Sequence, residues 1–311
     1  MKYNKPVEQI KIGSGMKVND LVKQMEASGV MGAGRIAKAT NIFEKMIKDK
    51  DCKVFFGFAG AMVPGGMKNI IIDMLKNDMI DVFVSTGANL THDMVEALGY
   101  RHYQGCANVN DCELNKNKVD RIYDSFMSNE VYEGLEEFFK KHFDDLAKDE
   151  MNIKEFLWKL GSLIEHEDSI LRVCYEKKIP IFCPALSDSG IGLMIWGHLA
   201  QGKKIKVGAF DDLKDILDIA WTTKKAGIFY IGGGVPKNYI QQAMQFAPNA
   251  AEYGIQITMD RPEPGGSSGA ELREGISWGK MSNTGEFIDV ISDVTIALPL
   301  IYASIKDRII K

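Results

Sequence analysis

The segment 267–281, SSGAELREGISWGKM, places a lysine directly behind Ser277, Trp278 and Gly279. Most of the 38 Lys and Arg residues of such a chain hold their charged heads in water. Lys280 differs in its neighbours: Trp supplies a flat apolar wall, and Gly lets a backbone or ligand come close. A lysine partly desolvated against such a wall has a lowered pKa, and its neutral amine can attack a carbonyl or imine carbon. The chemistry this stretch points to is Schiff-base formation.

Four other stretches supply turns suited to a ligand: GFAGAMVPGG, STGANLTHD, PALSDSG and GGGVPKN. Glycines there let backbone N–H groups approach a phosphate, and a following helix N-terminus adds partial positive charge. The turns describe a dinucleotide-style crevice, although neither GSGMKV nor GGGVPK fits the G-x-G-x-x-G spacing. Asp188 and Asp293 each stand at a strand-to-helix boundary. Either capping a helix or accepting bonds from ribose hydroxyls suits an Asp so placed, and the pattern leaves both open.

Such turns need a sheet to hold them. Apolar runs at Val54 to Phe58 and Val82 to Val84 are followed by glycine-rich turns and helices, and IPIFCPALSDSG, IFYIGGGVPKNYIQQAMQF and YGIQITMD repeat the pattern. Strands apolar on both faces that alternate with helices predict an α/β fold, a Rossmann-like parallel sheet with helices on both faces. Ligands then bind at the carboxyl ends of the strands. Ile36, Phe43 and Ile47 share one helical face, which makes the N-terminal part a helical lead-in. FDDLKDILDIAWTTKKAG predicts an amphipathic helix capped by Asp211, Pro236 falls in or near the first turn of another, and DVTIALPLIYASIKDRI predicts a closing helix. The polar stretch from roughly 113 to 178 reads as a helical insertion. No linker or repeat interrupts residues 1–311, so a single domain is expected.

Composition narrows the classes of function. A hydrophobic content of 45%, a charged content of 26% and a mean hydropathy of -0.13 describe an ordinary globular protein. No apolar run approaches the ~20 residues that span a bilayer, and MKYNKPVEQIKIGSG has no signal-peptide core, so a cytoplasmic protein without a membrane partner is expected. Five cysteines without a C-x-x-C pair read as reduced, mostly buried thiols, and the five scattered histidines give no metal spacing. The formal charge of -4, without a basic stripe, argues against nucleic acid and favours a cationic ligand such as an amine.

Taken in order, DVFVSTGANLTHD, CPALSDSGIGLMI, IFYIGGGVPKN and SSGAELREGISWGKM resemble the deoxyhypusine synthase family over nearly the whole chain. The resemblance implies a homotetramer with NAD and polyamine sites at paired subunit interfaces. It also implies a reaction, in which the aminobutyl group of spermidine passes through an enzyme-lysine imine to one lysine of the hypusine-bearing translation factor. Lys280 matches the imine-forming lysine, Trp278 the wall beside the polyamine, and Glu274 an ammonium partner. Gly60, Ala61, Met62, Val63 and Pro64 match a nicotinamide-dinucleotide loop. Thr86, Gly87, Ala88, Asp188, Gly233, Met259, Asp260, Asp293 and Val294 match other positions that contact NAD, and Gly265, Gly266 and Ser267 match the substrate loop. Four positions depart from the animal and fungal pattern. A histidine is replaced by Asn238, acids of the polyamine channel by Leu193 and Ser267, and a glutamate near the nicotinamide by His92. These departures leave a second possibility, a homospermidine-type or agmatine- or putrescine-using enzyme with the same imine chemistry.

Overall fold

The computed structural model describes residues 5–309, so the first four residues of the opening stretch read above lie outside it. In chain order the elements are α1 (Val18–Ser28), α2 (Met31–Lys48), β1 (Cys52–Phe58), α3 (Lys68–Lys76), β2 (Val82–Ser85), α4 (Gly87–Ala97) and β3 (Tyr103–Gln104). Then come α5 (Asp111–Lys116), β4 (Val119–Ile122), β5 (Ser125–Ser128), α6 (Glu130–Leu146), β6 (Met151–Asn152), α7 (Ile153–Leu163), α8 (Ile170–Lys177) and β7 (Ile181–Phe182). The chain finishes with α9 (Gly190–Ala200), β8 (Val207–Gly208), α10 (Phe210–Thr222), β9 (Lys225–Ile231), α11 (Gly234–Phe246), β10 (Ala251–Thr258), β11 (Met281–Ile291) and α12 (Val294–Ile309). The fold is α/β, with a main parallel sheet of six strands, as expected. Contacts divide the chain into two compact units, one running to Gly57 and resuming at Ile216, the other Phe58–Asp215.

In the first unit β9, β10 and β11 run parallel, with Ile257 of β10 opposite Ile231 and Val290. Phe56 packs on Phe229 at 5.2 Å, and Phe229 meets Phe43 of α2 at 5.1 Å. One residue on, a Cβ at Gly57 would crowd Tyr230, with Ile240 and Pro236 of α11 close behind. Successive strand residues point to opposite faces, so helices cover both faces here. That double cover is why the apolar run of β1 is unbroken. The lead-in helices α1 and α2 pack with α12, and Arg308 of α12 pairs with Glu44 of α2 at 2.8 Å.

In the second unit β2 and β7 are parallel, with Phe83 opposite Ile181. Buried Asp93 of α4 accepts hydrogen bonds from Ser169 Oγ (2.7 Å) and from the backbone N–H groups of Ile170 (2.9 Å) and Leu171 (3.1 Å), which satisfies the start of α8. The stretch read as a helical insertion does hold α5 to α8, but with its flank it also holds an antiparallel sheet in the order β3-β5-β4. Its strands have two to four residues each and are largely half-exposed, too short for a period to show. Cys106 and Cys112 lie exposed in this region and Cys52 is half-buried, so only Cys174 and Cys183 meet the expectation of buried thiols. Asp211 is likewise no cap: it lies inside the first turn of α10, beside Asp212, which accepts from the Lys154 backbone N–H at 3.0 Å.

Candidate active site

In the first unit a 3-10 turn over Leu272–Ile276 runs into Ser277 and Trp278, and Gly279 takes a left-handed φ of 68° that reverses the chain. The reversal is closed by the Lys280 backbone N–H donating to Gly275 O at 2.8 Å, and Lys280 O accepts from Ala251 N at 3.1 Å. Only a residue free at positive φ makes this turn cheaply, which gives Gly279 its reason. The Lys280 Nζ then lies 4.6 Å from the centroid of the Trp278 ring. Partial burial lowers the Lys280 pKa, and the nearby Glu274 carboxylate opposes that shift. The wall and the amine expected from the sequence are therefore together.

The triple-glycine turn is built on conformations that side chains resist. Gly232 and Gly234 have φ of 66° and 53°, and a Cβ on Gly233 would collide with Ser268. Ser268 Oγ accepts from Gly234 N at 2.9 Å, and Ser267 Oγ donates to Gly234 O at 3.2 Å, so the loop carrying these serines is laced to this turn. Beneath the lacing lies a group the sequence reading quoted but did not weigh. Lys237 is 1% exposed, and its Nζ donates to Gln256 Oε1 (2.8 Å) and Ala270 O (2.5 Å). Burial pulls its pKa down to about 8, against the charges of Asp289 and Glu274, while Lys280 adds to the lowering. The signal available in the sequence was Gln256, a polar residue between Ile255 and Ile257 in the buried half of β10.

Gly233, Asn238, Met259, Asp260, Asp293 and Val294 all follow the carboxyl ends of β9, β10 and β11. Lys280 does not. It immediately precedes Met281, which pairs with Ala251 at the other end of β10, whereas Ile291 pairs with Thr258. The backbone levels differ, but the Lys280 amine reaches far enough back for its charge to act on Lys237 beneath the triple-glycine turn. Asp293 caps α12: its Oδ1 accepts from the Thr295 backbone N–H and from Thr295 Oγ1, both at 2.7 Å.

In the second unit the predicted residues Gly60 to Pro64, Thr86 to Ala88 and Asp188 follow β1, β2 and β7. Buried Asn89 braces the first of these loops, accepting from Met62 N (3.2 Å) and Val63 N (3.3 Å), and Thr86 caps α4. Asp188 is not a cap, because Ser189 takes that role by accepting from Gly192 N at 3.1 Å. Its carboxylate is exposed and makes no hydrogen bond among the described residues. His92, on α4, bonds to His102, a partner the sequence reading missed.

A parallel α/β sheet with glycine turns and a lysine beside a tryptophan has relatives among known proteins. The family model described as deoxyhypusine synthase matches residues 20–305, and the chain belongs to the deoxyhypusine synthase family. It is 43% identical over 306 residues to a Methanosarcina thermophila protein named "Probable deoxyhypusine synthase", covering 98% of this chain and 96% of that one. A "Probable deoxyhypusine synthase 1" of Archaeoglobus fulgidus is 41% identical over 298 residues, 96% of each. The crystal structure of a candidate deoxyhypusine synthase from Entamoeba histolytica shares the fold, with a TM-score of 0.68 at 18% identity over 93% of both chains. Membership implies a transferase whose general function is deoxyhypusine synthesis.

Proposed function

We propose that this chain moves the aminobutyl group of spermidine, through an imine on Lys280, to one lysine of the hypusine-bearing translation factor, with NAD as cofactor. The observation that carries the reading is the Lys280 amine held 4.6 Å over Trp278 and lowered in pKa by burial. A neutral amine there adds to the imine carbon of the oxidised donor. The new C–N bond forms to Lys280, the C–N bond to diaminopropane breaks, and the proton shed by the Lys280 nitrogen leaves on the departing amine. Glu274 offers a carboxylate to an ammonium of the polyamine.

The residues present fit NAD. Asp188 has a carboxylate that no helix start uses, Thr86 and Gly87 open α4, and Gly232 to Gly234 let the backbone of the α11 N-terminus come close to a phosphate. When bound, NAD supplies hydride acceptance from the amine and its later return. One feature supports completion of the site by paired copies in a tetramer: large apolar side chains such as Trp196, Phe210 and Trp221 are 66%, 87% and 61% exposed.

The direct test incubates the protein with NAD, spermidine labelled in its aminobutyl part and the acceptor protein, followed by mass spectrometry of the acceptor. Label on one acceptor lysine is expected; label only in small amines selects a homospermidine-type enzyme instead. Asp188 and Asp293 separate in a second experiment. Asp188→Ala should weaken NAD binding while the apo melting temperature stays within a degree or so, since no cap is lost. Asp293→Ala should also cost ~1 kcal/mol of stability, because a real cap goes with it. Titration of NAD alongside thermal melts checks both, and normal NAD affinity in Asp188→Ala would remove that residue from the cofactor site.

A further inference from the structure

Four ionisable side chains of the second unit form one unbroken line. Lys68 Nζ lies 2.7 Å from Glu96 Oε2, Glu96 Oε1 lies 2.9 Å from His102 Nδ1, and His102 Nε2 lies 2.9 Å from His92 Nδ1. They are largely shielded: the side chains of Lys68, Glu96 and His102 are 10%, 17% and 5% exposed. On α4 the positions 88, 92 and 96 recur every fourth residue and therefore lie along one helical stripe. The stripe starts at exposed Ala88, in the first turn after β2 among the carboxyl-end turns, and runs back to Glu96. His92 is one turn behind that opening.

Hydrogen-bond logic limits the proton positions along the line. Burial works against the Glu96 charge, but bonds from His102 and Lys68 outweigh it and hold the carboxyl at about 2, so Glu96 accepts only. His102 must then donate from Nδ1. In the arrangement that gives each imidazole one proton, His102 Nε2 accepts, His92 donates from Nδ1 and the Nε2 of His92 carries a bare lone pair. Among the described residues His92 makes no other hydrogen bond, which leaves Nε2 available.

We propose that Glu96 and His102 are positioning residues of a two-imidazole proton relay, in which His92 Nε2 takes a proton from the donor amine and passes its Nδ1 proton to His102. The donor class rests on the function proposed above. The transfer balances: one proton enters at His92 Nε2, one moves from His92 Nδ1 to His102 Nε2, and the positive charge comes to rest beside the Glu96 carboxylate. This placement solves a problem His92 has alone. Burial, with the neighbouring His102 charge, pushes its pKa down to about 4, which makes it a poor final home for a proton. The charges bearing on His92 are those of His102 and Glu96, and those bearing on Glu96 are Lys68 and His102. The relay thus keeps a neutral acceptor at the site and stores the charge one residue behind it.

The protein has five histidines, so 15N-histidine labelling gives a spectrum that single His→Gln variants can assign. In the full-length protein at pH 8, His92 is expected as the Nδ1–H tautomer, and in Glu96→Gln that preference should be lost. Finding His92 protonated at Nε2 in the unmodified protein overturns the relay, whatever the substrate. In turnover, Glu96→Gln and His102→Gln should each lower kcat by tenfold or more while the KM for the amine stays within twofold; Glu96→Gln is isosteric and guards against a folding defect at His102. Unchanged kcat in both variants also overturns it. If the unmodified protein consumes no spermidine, the proposed function fails by itself, and the tautomer measurement still decides the relay.

Discussion

Lys280→Arg is expected to abolish turnover, by at least about a thousandfold, while NAD binding and the melting temperature remain close to normal. The guanidinium keeps charge and length but stays protonated at any working pH, so it has no lone pair to offer an imine carbon. Borohydride added with NAD and donor should fix a stable mass on the peptide carrying Lys280 and none on that of the variant. Equal trapping in Lys280→Arg would mean another amine is the nucleophile, and buried Lys237, with its pKa near 8, is the first to examine. The pH dependence follows with a definite sign. Attack needs the neutral amine, so the rate falls as pH drops through the Lys280 pKa. Burial lowers that pKa and Glu274 raises it, so Glu274→Gln lowers it further and moves the acid limb to lower pH. The same variant should raise KM, because a polyamine ammonium loses its carboxylate. An acid limb that moves to higher pH contradicts this account of the two residues.

What could be read from the sequence depended on whether a residue's surroundings were local. β1, β2 and β9 announce themselves because strands covered on both faces carry long apolar runs, and each is closed by glycines or polar turn residues. Trp278 and Gly279 mark Lys280 for the same reason: wall, turn and amine are adjacent in the chain. The antiparallel strands between 103 and 128 gave no such signal, being short and largely half-exposed. The cap assigned at Asp211 failed by a residue or two, and the choice left open at Asp188 was closed by Ser189 taking the cap, because several Asp and Ser residues compete for one helix start and only geometry chooses among them. Lys237 and His102 were illegible for a further reason. Lys237 reaches a carbonyl 33 residues away and His102 a histidine 10 residues away, and no period or spacing encodes those meetings.

Donor choice is the second large effect, and it turns on Leu193, Ser267, Asn238 and His92. Spermidine carries three positive charges, and a buried ammonium without a partner is costly. Each missing charge-assisted bond removes ~1.5–3 kcal/mol, roughly ten- to a hundredfold in affinity. The enzyme should therefore bind spermidine more weakly than acid-rich relatives do, or prefer a shorter or less charged amine. Local compensation has few candidates. Glu271 is already engaged by Arg273 at 2.5 Å, which leaves exposed Asp260 and Glu263 on the loop after β10. Restoring an acid is cleaner at Leu193 than at Ser267. The Ser267 hydroxyl donates to Gly234 O, so an aspartate there would face a carbonyl oxygen, whereas Leu193 is 57% exposed and loses little packing. A competition panel of spermidine, agmatine, putrescine and homospermidine should show Leu193→Asp shifting preference toward spermidine by about tenfold. If the unmodified protein already selects spermidine tightly, Leu193→Asp changes nothing, and Asp260→Asn with Glu263→Gln has no effect, then the channel neutralises its ligand with other groups and the four departures do not set its specificity.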